Sequence, residues 1–271
     1  MTPKTSIHDV FDMRNLPFTR ELLLKHCYEH PQFDEVIRDT TDAIKDRMSA
    51  VITAVPGTGK TVVARRVVAE LPAARYRIHE IKVNHLSKRD FCRELATAMG
   101  ARPAGHTAAL VRSLQERCRH TMDSESIRPV IIIDEAQDIR PDVLSLLKLI
   151  TNFDMDSQLI VSIVLIGHPK LRKLLSHPDL EDVARRIARY SSLRLLTREE
   201  TSEYIQHRLR IVGAKDDLFD RQALDTIFEC SQGNLRAIDR IALESIRQAA
   251  QAGKSVIGIN HVMKARSKVM L

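Results

Sequence analysis

The chain has no tryptophan, and aromatic residues make up only 4% of its 271 residues. Proteins that hold single-stranded nucleic acid by stacking bases on rings need more aromatic side chains than this. Four cysteines are present, but they are far apart and form no CxxC or Cys/His cluster: Cys27, Cys92, Cys118 and Cys230. Their spacing predicts reduced, mostly buried thiols in a cytoplasmic protein.

Long hydrophobic runs are also missing. The longest apolar stretch, residues 159–167, is interrupted by Ser162 and is far shorter than the ~18 residues that a membrane-spanning helix requires. The start of the chain, MTPKTSIHDVFD, lacks the basic and apolar regions of a secretory signal peptide. The sequence therefore predicts a cytoplasmic protein with no membrane partner.

No acidic residue follows Glu244. The charged side chains of residues 245–271 are all basic: Arg247, Lys254, Lys264, Arg266 and Lys268. The whole chain has 42 Lys and Arg against 35 Asp and Glu, a net charge of +7. A basic balance suits a nucleic-acid partner, although a solvated basic tail explains the last segment equally well. The composition, 44% apolar and 28% charged, is that of a folded protein that needs no disulfide or metal to hold its core.

Short apolar segments alternate with helical patterns up to about residue 196, where the last predicted strand ends. Strands are predicted near residues 50–55, 76–83, 130–133, 159–166 and 191–196, with helices between them, the last of these near 179–189. This alternation indicates an α/β fold, a parallel sheet covered on both faces in three layers. From residue 198 only helical patterns remain, which predicts an all-helical C-terminal lid.

These patterns predict three parts. Residues 1–47 form a lead-in with helices near 20–30 and 32–47 that packs on the core, residues 48–197 form the α/β domain, and residues 198–271 form the lid.

The segment AVPGTGKT, residues 54–61, follows a predicted strand and opens a helix; we call it the phosphate loop. Its glycines let backbone N–H groups point at an anion, and the helix N-terminus adds its dipole. Lys60 is expected to bridge the β- and γ-phosphates of ATP and Thr61 to ligate Mg²⁺. Ala54 replaces the first glycine of the pattern, which is tolerated if φ is not positive there. The expected nucleotide-binding residues are Pro56, Gly57, Thr58, Gly59, Lys60 and Thr61.

A second apolar strand ends in two carboxylates, Asp134 and Glu135. Strand ends in such sheets face the ligand crevice. Asp134 is expected to hold Mg²⁺ and the nucleotide, and Glu135 to orient and deprotonate the attacking water. The alternative is that Asp134 and Glu135 only cap a helix. The phosphate loop upstream favours the catalytic role over this alternative.

Three further features fit the same site. His168 follows the strand at 159–166, where it can sense the γ-phosphate or serve only as a surface turn residue. One of Arg185, Arg186 and Arg189 is expected to reach a neighbouring subunit's nucleotide, unless all three are solvated on a helix. Arg236 opens a long helix and can couple the lid to the phosphates.

With these motifs the chain resembles an AAA+ ATPase, a P-loop NTPase with a helical lid. Residues 54–61 resemble Walker A, 130–135 Walker B, 167–168 sensor 1, 185–189 the arginine-finger region and 233–236 sensor 2. The runs NLPF (15–18), DEAQ (134–137), LIGHPKL (165–171) and LTREET (196–201) resemble the ExeA-like branch, which includes transposition regulators of the TnsC, TniB and MuB type.

The resemblance implies a protein that uses ATP and Mg²⁺ to assemble as a homo-oligomeric ring or helical filament on duplex DNA. It would recruit a transposase, with or without a target-selection protein, and disassemble on hydrolysis. Basic loops contact DNA in that family, and Lys88 and Arg89 are the candidates here. Cations in the first turn of a helix oppose its dipole, although Ser87 capping a helix with two solvated cations explains them too.

Two alternatives stay open at this point. One is an ExeA-type secretion or assembly ATPase that acts on protein partners, although such proteins typically carry a membrane span and a further domain. The other is a replication-type helicase or clamp loader, which needs a partner-binding extension.

Overall fold

The computed structural model describes residues 11–19, 21–82, 86–103, 105–151, 159–215 and 217–269. They form two compact units. The sheet unit comprises His30–Pro56 and Lys60–Leu193, and the helical unit comprises the described residues of Met1–Glu29, Gly57–Gly59 and Arg194–Leu271.

Within the described residues, five parallel strands form one sheet in the order β2-β3-β4-β1-β5. The strands are β1 (Ser49–Ala54), β2 (Tyr76–Lys82), β3 (Arg128–Asp134), β4 (Ser162–Gly167) and β5 (Ile187–Leu193). Every residue of β1 and β4 is buried, which requires cover on both faces of the sheet. The predicted α/β class with a parallel sheet is confirmed.

The helices of the sheet unit are α1 (Pro31–Lys45), α2 (Lys60–Glu70), α3 (Lys88–Ala98), α4 (Thr107–Glu125), α5 (Pro141–Leu144), α6 (Leu146–Thr151), α7 (Lys170–Leu175) and α8 (Glu181–Ala184). Their apolar side chains and those of the strands form one core. Phe91 of α3, Leu114 of α4 and Ile131 of β3 are fully buried in it. Burial of each such side chain stabilises the unit by about 2 kcal/mol.

The helix predicted at 20–30 is wrong over the described residues. Only a 3₁₀ turn, Leu24–His26, forms there, and Cys27 and His30 have extended backbones. A residue before proline is disfavoured in the helical region, so Pro31 prevents a helix from passing through His30. Pro31 instead occupies the first position of α1, where proline is well accommodated.

The boundary predicted near residue 191 is also wrong. The helix ends at Ala184, and β5 begins at Ile187 rather than at 191. β5 pairs only with β1 and is an edge strand, with Ala188, Arg189 and Tyr190 exposed. An edge strand lacks the continuous apolar run by which a buried strand is recognised, so the sequence pattern predicts a helix over its first half.

The helical unit contains α9 (Arg198–Ile211), α10 (Arg221–Ser231), α11 (Leu235–Gln251) and α12 (Ile259–Val269). At the start of α9, the backbone N–H of Glu200 donates to Thr197 Oγ1 at 3.3 Å, and Glu200 Oε2 accepts from the N–H of Thr197 at 2.8 Å. This reciprocal cap satisfies N–H groups that a helix start leaves without partners. No helix in the described part of the chain is long and apolar enough to cross a bilayer.

The lead-in contributes to the helical unit. Arg208 donates to the carbonyl of Thr19 and to the Tyr204 hydroxyl, both at 2.8 Å, and its guanidinium lies over the Phe18 ring. Tyr204 in turn donates to Asp239 at 2.8 Å, and burial raises the pKa of Asp239 to about 6. The sequence predicts that residues 1–47 pack on the α/β core. Helix α1 belongs to the sheet unit, whereas residues 11–19 lie in the core of the helical unit with Phe11, Met13 and Phe18.

The four cysteines are free thiols, as predicted. Cys92 and Cys118 are fully buried, and burial raises the pKa of Cys92 to about 11 and that of Cys118 to about 12. These thiols stay protonated at neutral pH and act as small apolar side chains.

Substitution of Gly233 tests the packing of the helical unit. Gly233 has φ +75°, and a Cβ there would overlap the carbonyl group of Leu196. Gly253 also has a left-handed φ, +62°, but no heavy atom lies within 4 Å of a Cβ there. We expect Gly233→Ala to lower the free energy of unfolding by about 3 kcal/mol or more, and Gly253→Ala by about 1 kcal/mol.

Urea denaturation followed by circular dichroism measures both variants. Equal losses in the two would contradict a backbone clash at Leu196.

Candidate nucleotide-binding site

Three strand ends meet at one edge of the sheet. β3, β4 and β1 are neighbours, and the register pairs Ile133 with Leu165 and Thr53 with Gly167. The segments that follow these strands, residues 54–61, 134–135 and 167–168, therefore leave the sheet at its carboxyl edge. Ligands of open parallel sheets bind in the crevice outside this edge.

The phosphate loop has the backbone of an anion site. Gly57 and Gly59 have φ of 85° and 100°, conformations that residues with a side chain rarely adopt. Ala54 is the last residue of β1 and is not among the residues with positive φ. Alanine is therefore acceptable where the pattern has its first glycine.

Lys60 and Thr61, the last two residues of the phosphate loop, begin α2. Lys60 is 9% exposed, and its Nζ donates to the carbonyl of Ala54 at 2.9 Å. Thr61 is exposed, and the first turn of α2 carries no acidic residue that would repel a phosphate. Positive-φ glycines, an ammonium and a helix N-terminus in this order fit the phosphates of a nucleotide.

Asp134 and Glu135 are held in an unusual turn at the end of β3. Asp134 Oδ1 accepts from the N–H of Glu135 at 2.9 Å, and Glu135 has a left-handed backbone with φ 53° and ψ 38°. A glutamate in this region costs on the order of 1 kcal/mol, and such conformations concentrate at functional sites. No feature of the amino-acid sequence indicates this backbone conformation.

No group of three or more His, Cys, Asp and Glu side chains in the described ranges could hold a metal ion. Mg²⁺ needs no such group, because it binds through one or two protein oxygens and the phosphates of its substrate. Thr61 and Asp134, on adjoining segments of the carboxyl edge, offer those oxygens. The residues present therefore fit Mg²⁺-ATP.

His168 lies directly after β4, as predicted. Its backbone N–H donates to Gln137 Oε1 at 2.8 Å, and its Nδ1 accepts from the N–H of Lys170 at 3.3 Å. Gln137 also donates to Glu135 Oε2 at 2.8 Å. Sequence reasoning missed Gln137; the signal was its place in the DEAQ run directly after the two carboxylates.

The three candidate arginines lie away from the phosphate loop of the same chain. Arg189 is on β5 and pairs with Ala50, near the amino end of β1, whereas the loop follows its carboxyl end. Arg185 forms an ion pair with Glu181, and Arg186 donates to the carbonyl of Asp182. The expectation of one helix carrying all three is wrong, because the helix ends before Arg185.

Arg236 lies in the first turn of α11 and is exposed. Within the helical unit, its backbone N–H donates to the carbonyl of Gly57 at 3.3 Å. Asn234 caps the same helix, and a Cβ on Gly57 would overlap the Asn234 amide. The glycine at position 57 thus admits the start of α11.

Lys88 and Arg89 form the first turn of α3 and are both exposed. Ser87 Oγ accepts from the N–H of Asp90 at 3.2 Å and caps the helix. Lys88 lies 3.7 Å from a carboxylate oxygen of Asp142. Part of the loop predicted to present them, residues 84–85, lies outside the described residues.

The region that contains these motifs is similar to known proteins. Residues 42–175 match the AAA domain family. The General secretion pathway protein A of Aeromonas hydrophila is 28% identical over 250 residues, which cover 91% of this chain and 45% of that protein. The chain thus spans less than half the length of this curated relative. Both matches support the predicted resemblance to ExeA-like AAA+ ATPases.

Solved structures share the fold at low identity. Cdc6p from Pyrobaculum aerophilum has a TM-score of 0.72 at 17% identity, over 93% of this chain and 70% of that chain. The ORC1 protein of Aeropyrum pernix, solved in complex with DNA, has a TM-score of 0.68 at 16% identity, over 93% and 68%. The chain therefore has the AAA+ P-loop NTPase fold.

Proposed function

We propose that this protein is an ATPase that binds duplex DNA without sequence preference and regulates DNA transposition. It assembles with ATP on target DNA, recruits a transposase, with or without a target-selection protein, and disassembles when ATP is hydrolysed. The observation that carries the ATP-dependent part is the meeting of the phosphate loop, Asp134-Glu135 and Gly167-His168 at one sheet edge.

Each residue at that edge has a distinct role in the proposal. Lys60 exchanges its bond to the Ala54 carbonyl for the β- and γ-phosphates, and Thr61 and Asp134 hold Mg²⁺. The metal neutralises phosphate charge. Glu135 orients and deprotonates the attacking water, and His168 senses the γ-phosphate.

Arginines couple the nucleotide site to a neighbouring subunit and to the lid. One of Arg185, Arg186 and Arg189 acts on the nucleotide of a second copy, which their distance from the phosphate loop of their own chain supports. Arg236 reports the phosphate state to the helical unit, supported by the bond from its N–H to Gly57. Because this arginine acts on the nucleotide of a second copy, the protein assembles as a homo-oligomer, either a ring or a helical filament.

Lys88 and Arg89 are the proposed contacts to the DNA backbone. Both are exposed at a helix N-terminus, where a cation opposes the dipole by about 0.3–1 kcal/mol, and a phosphate would remove that conflict. Phosphate contacts give affinity without sequence choice. The net charge of +7 favours the same partner, and a structural neighbour was solved with DNA.

Transposition is favoured over other DNA functions by the four sequence runs at 15–18, 134–137, 165–171 and 196–201. A second candidate, a secretion-assembly ATPase acting on protein partners, is favoured by the similarity to General secretion pathway protein A. Duplex DNA binding that needs ATP or a slowly hydrolysed analogue supports the first. Its absence in gel shifts, with intact nucleotide binding, supports the second.

Lys60→Ala tests the phosphate loop. Charge-assisted bonds to phosphate contribute about 3 kcal/mol, so we expect ATP affinity to fall ~100-fold and assembly to be lost. Titration calorimetry measures the affinity. Lys45→Ala removes an equal charge from an exposed side chain and should bind ATP as the wild type does; unchanged binding by Lys60→Ala would place the nucleotide elsewhere.

Glu135→Gln tests the general base. We expect ATP binding to persist, steady-state hydrolysis to fall by about 10²–10⁴, and assemblies on DNA to outlive those of the wild type. Glu80→Gln on β2, an exposed residue, makes the same charge change and should hydrolyse ATP normally. Wild-type hydrolysis by Glu135→Gln would mean that Glu135 is not the base.

The double substitution Lys88→Ala and Arg89→Ala tests the DNA surface. We expect weaker duplex binding, a salt slope lower by about 2 in log K against log[salt], and unchanged ATP affinity. Lys254→Ala with Lys264→Ala removes the same charge from the C-terminal segment. If only this second pair weakens DNA binding, the contact lies on the C-terminal segment instead.

A further inference from the structure

Gln137 joins the ends of β3 and β4 through one side chain. Its Nε2 donates to Glu135 Oε2 and its Oε1 accepts from the N–H of His168, each at 2.8 Å. An ionised carboxylate only accepts and a backbone N–H only donates. The two partners therefore fix which end of the amide is nitrogen and which is oxygen.

Gly167 leaves room for this side chain. Gly167 is the last residue of β4, it is buried, and its φ is ordinary. A Cβ at this position would overlap Gln137 Oε1. The glycine is thus explained by the passage of Gln137 rather than by the backbone conformation of β4.

We propose that Gln137 is a positioning residue for ATP hydrolysis, which fixes the orientation of the Glu135 carboxylate and ties it to the backbone of His168. This inference rests on the proposed role of Glu135 as the base. Gln137 itself touches neither the nucleotide nor the reacting water.

The need for such a bond follows from the surroundings of Glu135. The residue is exposed, and its left-handed backbone lies in a turn rather than in a regular element. Its exposed side chain has several staggered rotamers available to it. A base must lie within hydrogen-bond reach of the water it activates, and small misplacements are costly in rate. The Gln137 amide selects one orientation without adding charge beside a triphosphate.

Two substitutions of Gln137 distinguish its hydrogen bond to Glu135 from its hydrogen bond to His168. Gln137→Met keeps the length of the side chain and removes both bonds. Gln137→Glu keeps an acceptor for the N–H of His168 but replaces the donor to Glu135 with a second carboxylate. We expect kcat to fall 10- to 100-fold in Gln137→Met and at least as far in Gln137→Glu, with the Kd for ATP within about twofold of wild type.

A double-mutant cycle shows whether Gln137 acts through Glu135. In the Glu135→Gln background, Gln137→Met should cause no further loss of hydrolysis, because the group it positions is already gone. A purely structural role would give additive losses, together with weaker ATP binding. Additive losses would overturn the proposal.

Gly167→Ala tests the placement of the Gln137 side chain by a substitution in β4. The added methyl group displaces a flexible side-chain end, so we expect the protein to fold and to lose kcat as Gln137→Met does. Gly258→Ala is the control, because its Cβ would lie 3.0 Å from a side-chain oxygen of Asp220 and its φ is also ordinary. Gly258→Ala should hydrolyse ATP at the wild-type rate.

The failure of this inference differs from the failure of the proposed function. If the wild type hydrolyses ATP and Glu135→Gln does not, while Gln137→Met and Gln137→Glu keep the wild-type kcat, then Gln137 has no positioning role. If Glu135→Gln keeps the wild-type rate, the assignment of the base is wrong.

Discussion

Parallel pairing of β3, β4 and β1 is the constraint on which the candidate site depends. Parallel strands end at a common edge, and their register places the ends of β3 and β4 beside the start of the phosphate loop. The residues concerned are separated by up to about a hundred positions in the chain, and no local interaction brings them together. Every residue of β1 and β4 is buried, so a shift in register would disrupt close side-chain packing on both faces of the sheet.

Backbone conformation, more than side-chain charge, distinguishes this edge. Positive φ occurs at Gly57, Gly59 and Glu135, all in turns that follow a strand. The glycines adopt it without cost, and the turn at Glu135 is held by Asp134 Oδ1 and by Gln137. The sheet supplies a rigid support, and short turns direct N–H groups and carboxylates away from it.

Much of this arrangement could be predicted because the motifs are local. A phosphate loop between a strand and a helix, and two carboxylates at the end of an apolar strand, have recognisable sequences, and the structure places them as expected. Local patterns failed at β5, an edge strand without an apolar run, and before Pro31. The role of Gln137 could not be predicted because its partner His168 lies 31 residues away, and the DEAQ run alone does not show which groups the glutamine contacts.

Hydrophobic periodicity, together with glycine and proline, was enough to predict the α/β class, the position of the phosphate loop and the change to an all-helical segment. The three-dimensional fold was needed to show which strands are neighbours, that Arg189 lies at the opposite end of β1 from the loop, and that residues 11–19 belong to the helical unit. Those features depend on contacts between residues far apart in the chain, and hydrophobic packing selects such contacts without leaving a local pattern.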